Sequence, residues 1–164
     1  MKTLFCIGGT MGVGKTAVSN YLKLKLSNSV FLDGDWCWNM HPFQVNAETK
    51  EMVIENICFL LNQFMKCSVY ENIVFCWVMH EQGIIDDILG KLRLENCQVK
   101  LVSLICGELE LRKRIQKDVK IGIRTKDSIE KSVERIPLYQ YLNTIKIDTS
   151  EMTVPETAER ILNL

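Results

Sequence analysis

The chain is 164 residues long, 47% apolar and formally uncharged at pH 7, with 20 basic and 20 acidic side chains. That length suits one domain, and that apolar content supplies a core without disulfides or a structural metal. Zero net charge excludes the overall electrostatic pull toward nucleic acid or an anionic membrane that a strongly basic protein exerts.

Taken in chain order, the apolar pattern alternates between strand and helix periods. Thr3 to Ile7 reads as a strand that enters a glycine-rich loop. Gly14 to Leu26 has helical spacing, with Ala17, Val18, Tyr21, Leu22 and Leu26 on one face. Ser29 to Leu32 is a short second strand ending in Asp33-Gly34-Asp35, and residues 36–45, with Trp36, Trp38, His41 and Pro42, have no clear period. Asn46 is placed to cap a helix running to about Cys67, with Val53, Ile57, Leu60, Leu61 and Phe64 at helical spacing. Ile73 to Met79 is apolar throughout and rich in β-branched and aromatic residues, which predicts a central buried strand.

Ile84 to Leu94 reads as helix and Val99 to Ile105 as strand. A charged helix begins at Glu108 and runs to about Asp118, Gly122 interrupts the pattern, and Thr125 can cap a further helix carrying Ile129, Val133 and Ile136, which Pro137 kinks or ends. Thr144 to Ile147 is a last short strand, and Thr153 to Glu156 has capping-box spacing with an early proline, opening a terminal helix. Strands joined by helical crossovers imply one α/β domain: a parallel sheet of about five strands covered on both faces, without repeats or linkers.

Seven cysteines, an odd number with no CxxC pair, predict buried reduced thiols rather than a disulfide framework or zinc site. The N-terminal apolar run is too short for a signal peptide, and no run approaches the ~18 residues that would suggest a membrane span. The expectation is a cytoplasmic protein whose partner is a small molecule, with no nucleic acid or membrane; nothing in the sequence fixes an oligomeric state.

Gly9, Thr10, Met11, Gly12, Val13, Gly14, Lys15 and Thr16 match G-x-x-x-x-G-K-[ST] in full, between a predicted strand and a predicted helix. Glycines let successive backbone N–H groups point into one concavity, and the helix N-terminus adds partial positive charge. Lys15 is predicted to reach the β- and γ-phosphates of ATP, and the Thr16 hydroxyl to ligate Mg²⁺. No N/T-K-x-D guanine signature is present.

Asp33 and Asp35 would by themselves read as a tight turn. In a parallel sheet they stand at the carboxyl end of a strand, where ligands bind. With the phosphate loop, this pair makes the chain similar to the small P-loop kinases that phosphorylate metabolites, nucleosides, nucleotides or antibiotics, such as shikimate, gluconate, adenylylsulfate and chloramphenicol kinases. The resemblance implies that one aspartate works near Mg²⁺ or the attacking hydroxyl while the other positions the acceptor. It makes Glu81, after the third strand, a candidate Mg²⁺ group, whereas neighbouring His80 reads as a strand-end polar residue. It also implies a helical lid over about residues 108–137, bringing Arg114 and Arg124 over the phosphates, with Arg112 and Arg135 as further candidates. The loop Ile147 to Ser150 would lie against the adenine.

The activity implied is ATP- and Mg²⁺-dependent transfer to a small-molecule hydroxyl. The alternatives are a nucleoside monophosphate kinase, or an ATP-binding or hydrolysing protein without an acceptor. All six arginines lie beyond residue 92, so the acceptor region, residues 33–66, offers only Lys50 and Lys66 as cations. It does offer Trp36, Trp38, His41 and Phe43. That balance predicts a neutral or cationic ring-bearing acceptor.

Overall fold

The computed structural model describes residues 1–164. Five strands form one sheet: β1 (Lys2–Gly8), β2 (Ser29–Asp33), β3 (Asn72–Cys76), β4 (Cys97–Ile105) and β5 (Ile145–Asp148), in the order β2-β3-β1-β4-β5. Every neighbouring pair is parallel. Six α-helices intervene: α1 (Lys15–Lys25), α2 (Ala47–Lys66), α3 (Gln82–Gly90), α4 (Glu108–Lys120), α5 (Asp127–Arg135) and α6 (Val154–Leu162). Short 3-10 helices cover Gly34–Trp38 and Ile136–Tyr141.

The continuous apolar runs of the inner strands arise because both sheet faces are buried. Leu4 and Cys6 of β1 join a core with Val53, Ile57 and Leu61 of α2 and Ile85 and Ile88 of α3. Phe5 and Ile7 join a second core with Val18 and Leu22 of α1, Leu111 and Ile115 of α4, and Ala158 and Ile161 of α6. Each fully buried aliphatic side chain contributes about 1.5–3 kcal/mol, which fixes the register of these helices on the sheet. Two of the helix starts follow local chemistry. Asn46 and Thr49 form a reciprocal capping box on α2, and Thr153 and Glu156 form another on α6.

Four expectations need correction. α3 ends at Gly90, four residues short of Leu94, where the chain passes into a turn. β3 stops at Cys76, three residues short of Met79, because β1 bends into the phosphate loop and its partner edge ends. Beyond it, only single bonds remain, from the Trp77 N–H to the Ile7 carbonyl and from the Gly9 N–H to the Val78 carbonyl, and the backbone turns at Met79 with φ 32°. Lys126, not Thr125, stands at the start of α5, and the Thr125 hydroxyl donates to Asp127 instead. All seven thiols are free, but Cys37, Cys67 and Cys97 are half-buried rather than buried. No helix is long and apolar enough to cross a membrane.

β2 and β3 lie on one side of β1, and β4 and β5 on the other. Connections leaving β1 and β3 therefore diverge at the carboxyl ends of these strands, opening a crevice there.

Candidate active site

The crevice is a cleft of about 1090 Å³. Its nucleotide end is made by the turn between β1 and α1. Gly14 sits at the N-cap of α1 with φ 107°, a conformation costly for any residue with a Cβ, and no side chain caps the helix. The first N–H groups of α1 are thus left open to an anion.

Lys15 lines this end, half-buried. Its ammonium donates to the Thr10 carbonyl at 3.0 Å and has no carboxylate within bridging distance. Burial lowers its pKa, opposed by Cys76, Asp35 and Asp33, and Arg124 adds to the lowering. The charge is held back from full pairing, which suits a group waiting for phosphate.

The Thr16 hydroxyl donates to Asp33 Oδ2 at 2.7 Å. Asp33 is buried, and its other oxygen accepts from the Asp35 N–H at 3.0 Å, capping the short helix that begins at Gly34. A Cβ at Gly34 would come within 2.6 Å of Trp77 Cγ, so only glycine lets β2 turn so closely against the end of β3. One aspartate is thereby anchored under the loop, and the other is presented to the cleft. Although solvent reaches Asp35, the cleft walls raise its pKa, helped by Asp33; Lys15, the Trp77 indole and Arg124 pull it down.

Thr16 with Asp33 is a fitting Mg²⁺ station. No group of three or more His, Cys, Asp or Glu side chains gathers anywhere as a cage. Mg²⁺ at phosphoryl-transfer sites is held by one or two protein groups, with phosphate oxygens and waters completing its octahedron. Glu81 does not share this station by contact. Its carboxylate lies 3.2 Å from His80 Nε2, and it occupies the N-cap position of α3. The reason is the turn at Met79, which carries the chain onward after β3 ends. The β3 residue aligned with Asp33 is Cys76, whose thiol pKa is pushed up to about 12, chiefly by burial. The acid beside Thr16 therefore comes from β2.

The arginines expected in a lid divide. Arg114 donates to Glu110 at 3.0 Å, to the Val13 carbonyl at 3.2 Å, and to the Thr149 hydroxyl and carbonyl at 3.0 and 2.6 Å. It clamps the phosphate loop to the loop after β5, the segment expected against adenine. Arg124 reaches across the Gly122 turn to Asp118 at 2.8 Å and lines the cleft, close enough to influence Lys15 and Asp35. Arg112 is turned away, held by Glu108 at 2.8 Å and by both oxygens of Glu130 at 2.6 and 3.0 Å. It ties α4 to α5 and does not line the cleft. Arg135 does.

The acceptor end is walled by Trp38, Phe43, Val45, Ile54, Trp77 and Ile84. The rings of Trp38 and Phe43 lie 5.8 Å apart. Trp36 and His41, expected here, are exposed and do not line the cleft; Trp36 packs edge-on against Phe31 at 5.3 Å. Lys50 lines it, whereas Lys66, at the far end of α2, does not. His80 also lines this end. Burial, Arg135 and Lys50 lower its pKa against the pull of Glu81, and its Nδ1 has no partner. Trp77 and Asp118 also line the cleft, and sequence reasoning missed both. Trp77 reads as part of a strand, and only the close approach of its ring to Gly34 points to it.

A family model described as AAA domain matches residues 6–136. The fold is similar to that of a gluconokinase from Sinorhizobium meliloti 1021 (TM-score 0.72, 14% identity, covering 98% of this chain and 90% of that one). It is also similar to the tunicamycin resistance protein of Deinococcus radiodurans (TM-score 0.71, 16% identity, 99% and 95%) and to shikimate kinase from Acinetobacter baumannii (TM-score 0.64, 18% identity, 99% and 92%). A cytidylate kinase of Bacillus licheniformis is 30% identical over 87 residues, a match that takes in 46% of this chain and only 38% of that kinase. The family match, running from β1 to just past α5, spans the phosphate loop and four of the five strands: the chain belongs to the AAA domain family and has the form of a small P-loop kinase.

Proposed function

We propose that the protein is an ATP- and Mg²⁺-dependent phosphotransferase whose acceptor is a hydroxyl group on a small molecule. The observation that carries this reading is the split of the Asp pair: Asp33 is bonded to Thr16 at 2.7 Å, while Asp35 lines the cleft that also holds the aromatic compartment. A hydrolase acting on water has no need of a compartment walled by Trp38, Phe43 and Trp77.

In this reading the amides at the start of α1 and Lys15 hold the phosphates, and Arg124 faces the transferring group. Thr16 and Asp33 would hold Mg²⁺, which would supply charge neutralisation to the phosphates. The acceptor oxygen bonds to the γ-phosphorus as the bond to the β–γ bridging oxygen breaks. ADP leaves with that electron pair, and Asp35 takes the hydroxyl proton before passing it to solvent. Positioning and fixed charge supply most of the acceleration. A second reading, a nucleoside monophosphate kinase, is favoured by Arg135 at the cleft and by the partial likeness to the cytidylate kinase. There the attacking atom is a phosphate oxygen, which needs no base.

Asp35→Asn separates the two. A hydroxyl acceptor requires the ionised carboxylate, so turnover should rise as pH climbs through the raised pKa of Asp35. The substitution should cut kcat at least about tenfold and erase that acid limb. Unchanged turnover with an unchanged pH profile would remove Asp35 from the chemistry.

A further inference from the structure

The lid arginines differ in how their charge is balanced. Arg112, Arg114 and Arg124 each have a carboxylate within 3.0 Å. Arg135, at the C-terminal end of α5, has none within bridging distance, yet it is half-buried and lines the cleft. Lys50, on α2, lines the same cleft and likewise has no acidic partner. The two cations come from distant parts of the chain, and both act on His80. Of the acids in the cleft, Asp118 holds Arg124, Glu81 lies against His80, and Asp35 sits with Lys15 and Trp77. A partly buried guanidinium without a counter-charge is costly, and its planar fork matches a carboxylate or a phosphate.

Resting on the phosphotransferase reading above, we infer that the acceptor carries an oxyanion, a carboxylate or a phosphate, which Arg135 grips with Lys50 beside it while Trp38, Phe43 and Trp77 pack on the rest of the molecule. This departs from the neutral acceptor expected from the sequence. That expectation counted arginines only in the segment that forms the cleft wall, and the lid brings Arg135 to the cleft from outside it.

The test fills the phosphate loop with Mg²⁺ and a non-hydrolysable ATP analogue. Tryptophan fluorescence then follows the binding of matched probes: nucleosides against their 5′-monophosphates, glucose against gluconate, and inorganic phosphate alone. At least one anionic member should bind about tenfold or more tightly than its neutral partner, as charge-assisted hydrogen bonds imply. Which pair responds tells phosphate from carboxylate. Arg135→Gln should collapse that ratio, Arg135→Lys should keep part of it, and the exposed-site change Lys50→Gln should reduce it by a smaller factor. Equal affinity within every pair, a ratio indifferent to Arg135→Gln, or no saturable binding of any anionic probe, phosphate included, would overturn the inference. Phosphoryl transfer is scored separately with γ-labelled ATP. Anion binding without transfer to a hydroxyl, or with label arriving on a phosphate oxygen, retires the hydroxyl-kinase reading and leaves the anion site standing.

Discussion

The nucleotide end of the cleft comes from eight consecutive residues, Gly9 to Thr16, held between β1 and α1. The end proposed for the acceptor is gathered from four separate stretches: residues 38–45, Lys50 with Ile54, residues 77–84, and Arg135. The first obeys a local rule, since its function requires backbone N–H groups in one turn and a lysine at one spacing. The second obeys only the fold, because any residue type that fills or charges the compartment will serve. Damage to the first end should therefore abolish transfer for every acceptor, and damage to the second should change which acceptor is preferred.

Lys15→Ala gives the largest expected effect. Lys15 has no carboxylate partner and donates only to the Thr10 carbonyl, so its removal should cost the fold little and the phosphates much. Transfer should fall on the order of 10³-fold, the upper range for removing one charge-stabilising donor, with a melting temperature near that of the unaltered protein. An assay of labelled phosphate transfer alongside thermal unfolding checks both. Retained transfer would show that the loop does not do what its geometry suggests.

The two cleft-lining arginines of α4 and its turn sharpen the comparison within the nucleotide end. Arg124 makes a single ion pair, with Asp118, so Arg124→Ala should lower kcat about 100-fold with little change in ATP affinity. Arg114 is consumed by structural bonds to Glu110, Val13 and Thr149. Arg114→Ala should instead weaken ATP binding and destabilise the fold by about 1–2 kcal/mol, roughly 3–6 °C in melting temperature. Isothermal titration and calorimetric unfolding of both variants separate these outcomes. Matching profiles would mean that the structural clamp around Arg114 has no counterpart in solution.

What was legible in the sequence follows the same division. The parallel sheet of about five strands, the Asn46 cap, the Thr153–Glu156 capping box and the phosphate loop all rest on patterns within short stretches of sequence. Asp33 and Asp35 were legible as a pair, but their division of labour depends on the Thr16 contact, which crosses from α1 to β2. Glu81 lines the cleft but lies against His80 instead of Thr16, because one backbone turn at Met79 redirects the chain, and no residue-type preference announces a positive φ at methionine. Arg112 and Arg114 sit two apart on one helix, so they face different directions, and only the packing of α4 decides which meets the cleft.

The smallest effect expected is also the most discriminating for the acceptor end. Trp36 and Trp38 are two residues apart, follow the same Asp pair and are alike in type. The short helix from Gly34 to Trp38 turns them apart: Trp36 is 57% exposed and leans on Phe31, while Trp38 lies beside Phe43 in the cleft wall. In the proposed reading a ring in that wall would stack on the acceptor and touch neither the phosphates nor Asp33. Trp38→Ala should therefore raise the acceptor KM by about 3–10-fold, the equivalent of 0.5–1.5 kcal/mol for one aromatic contact, and leave the KM for ATP unchanged. Trp36→Ala should change neither constant. Steady-state kinetics on both variants, varying acceptor and ATP independently, reads this directly. If both tryptophans raise the acceptor KM alike, the short helix does not hold this orientation when the acceptor binds. If Trp38→Ala raises the KM for ATP instead, the aromatic wall belongs to the nucleotide end, and the acceptor must enter beside Arg135 alone.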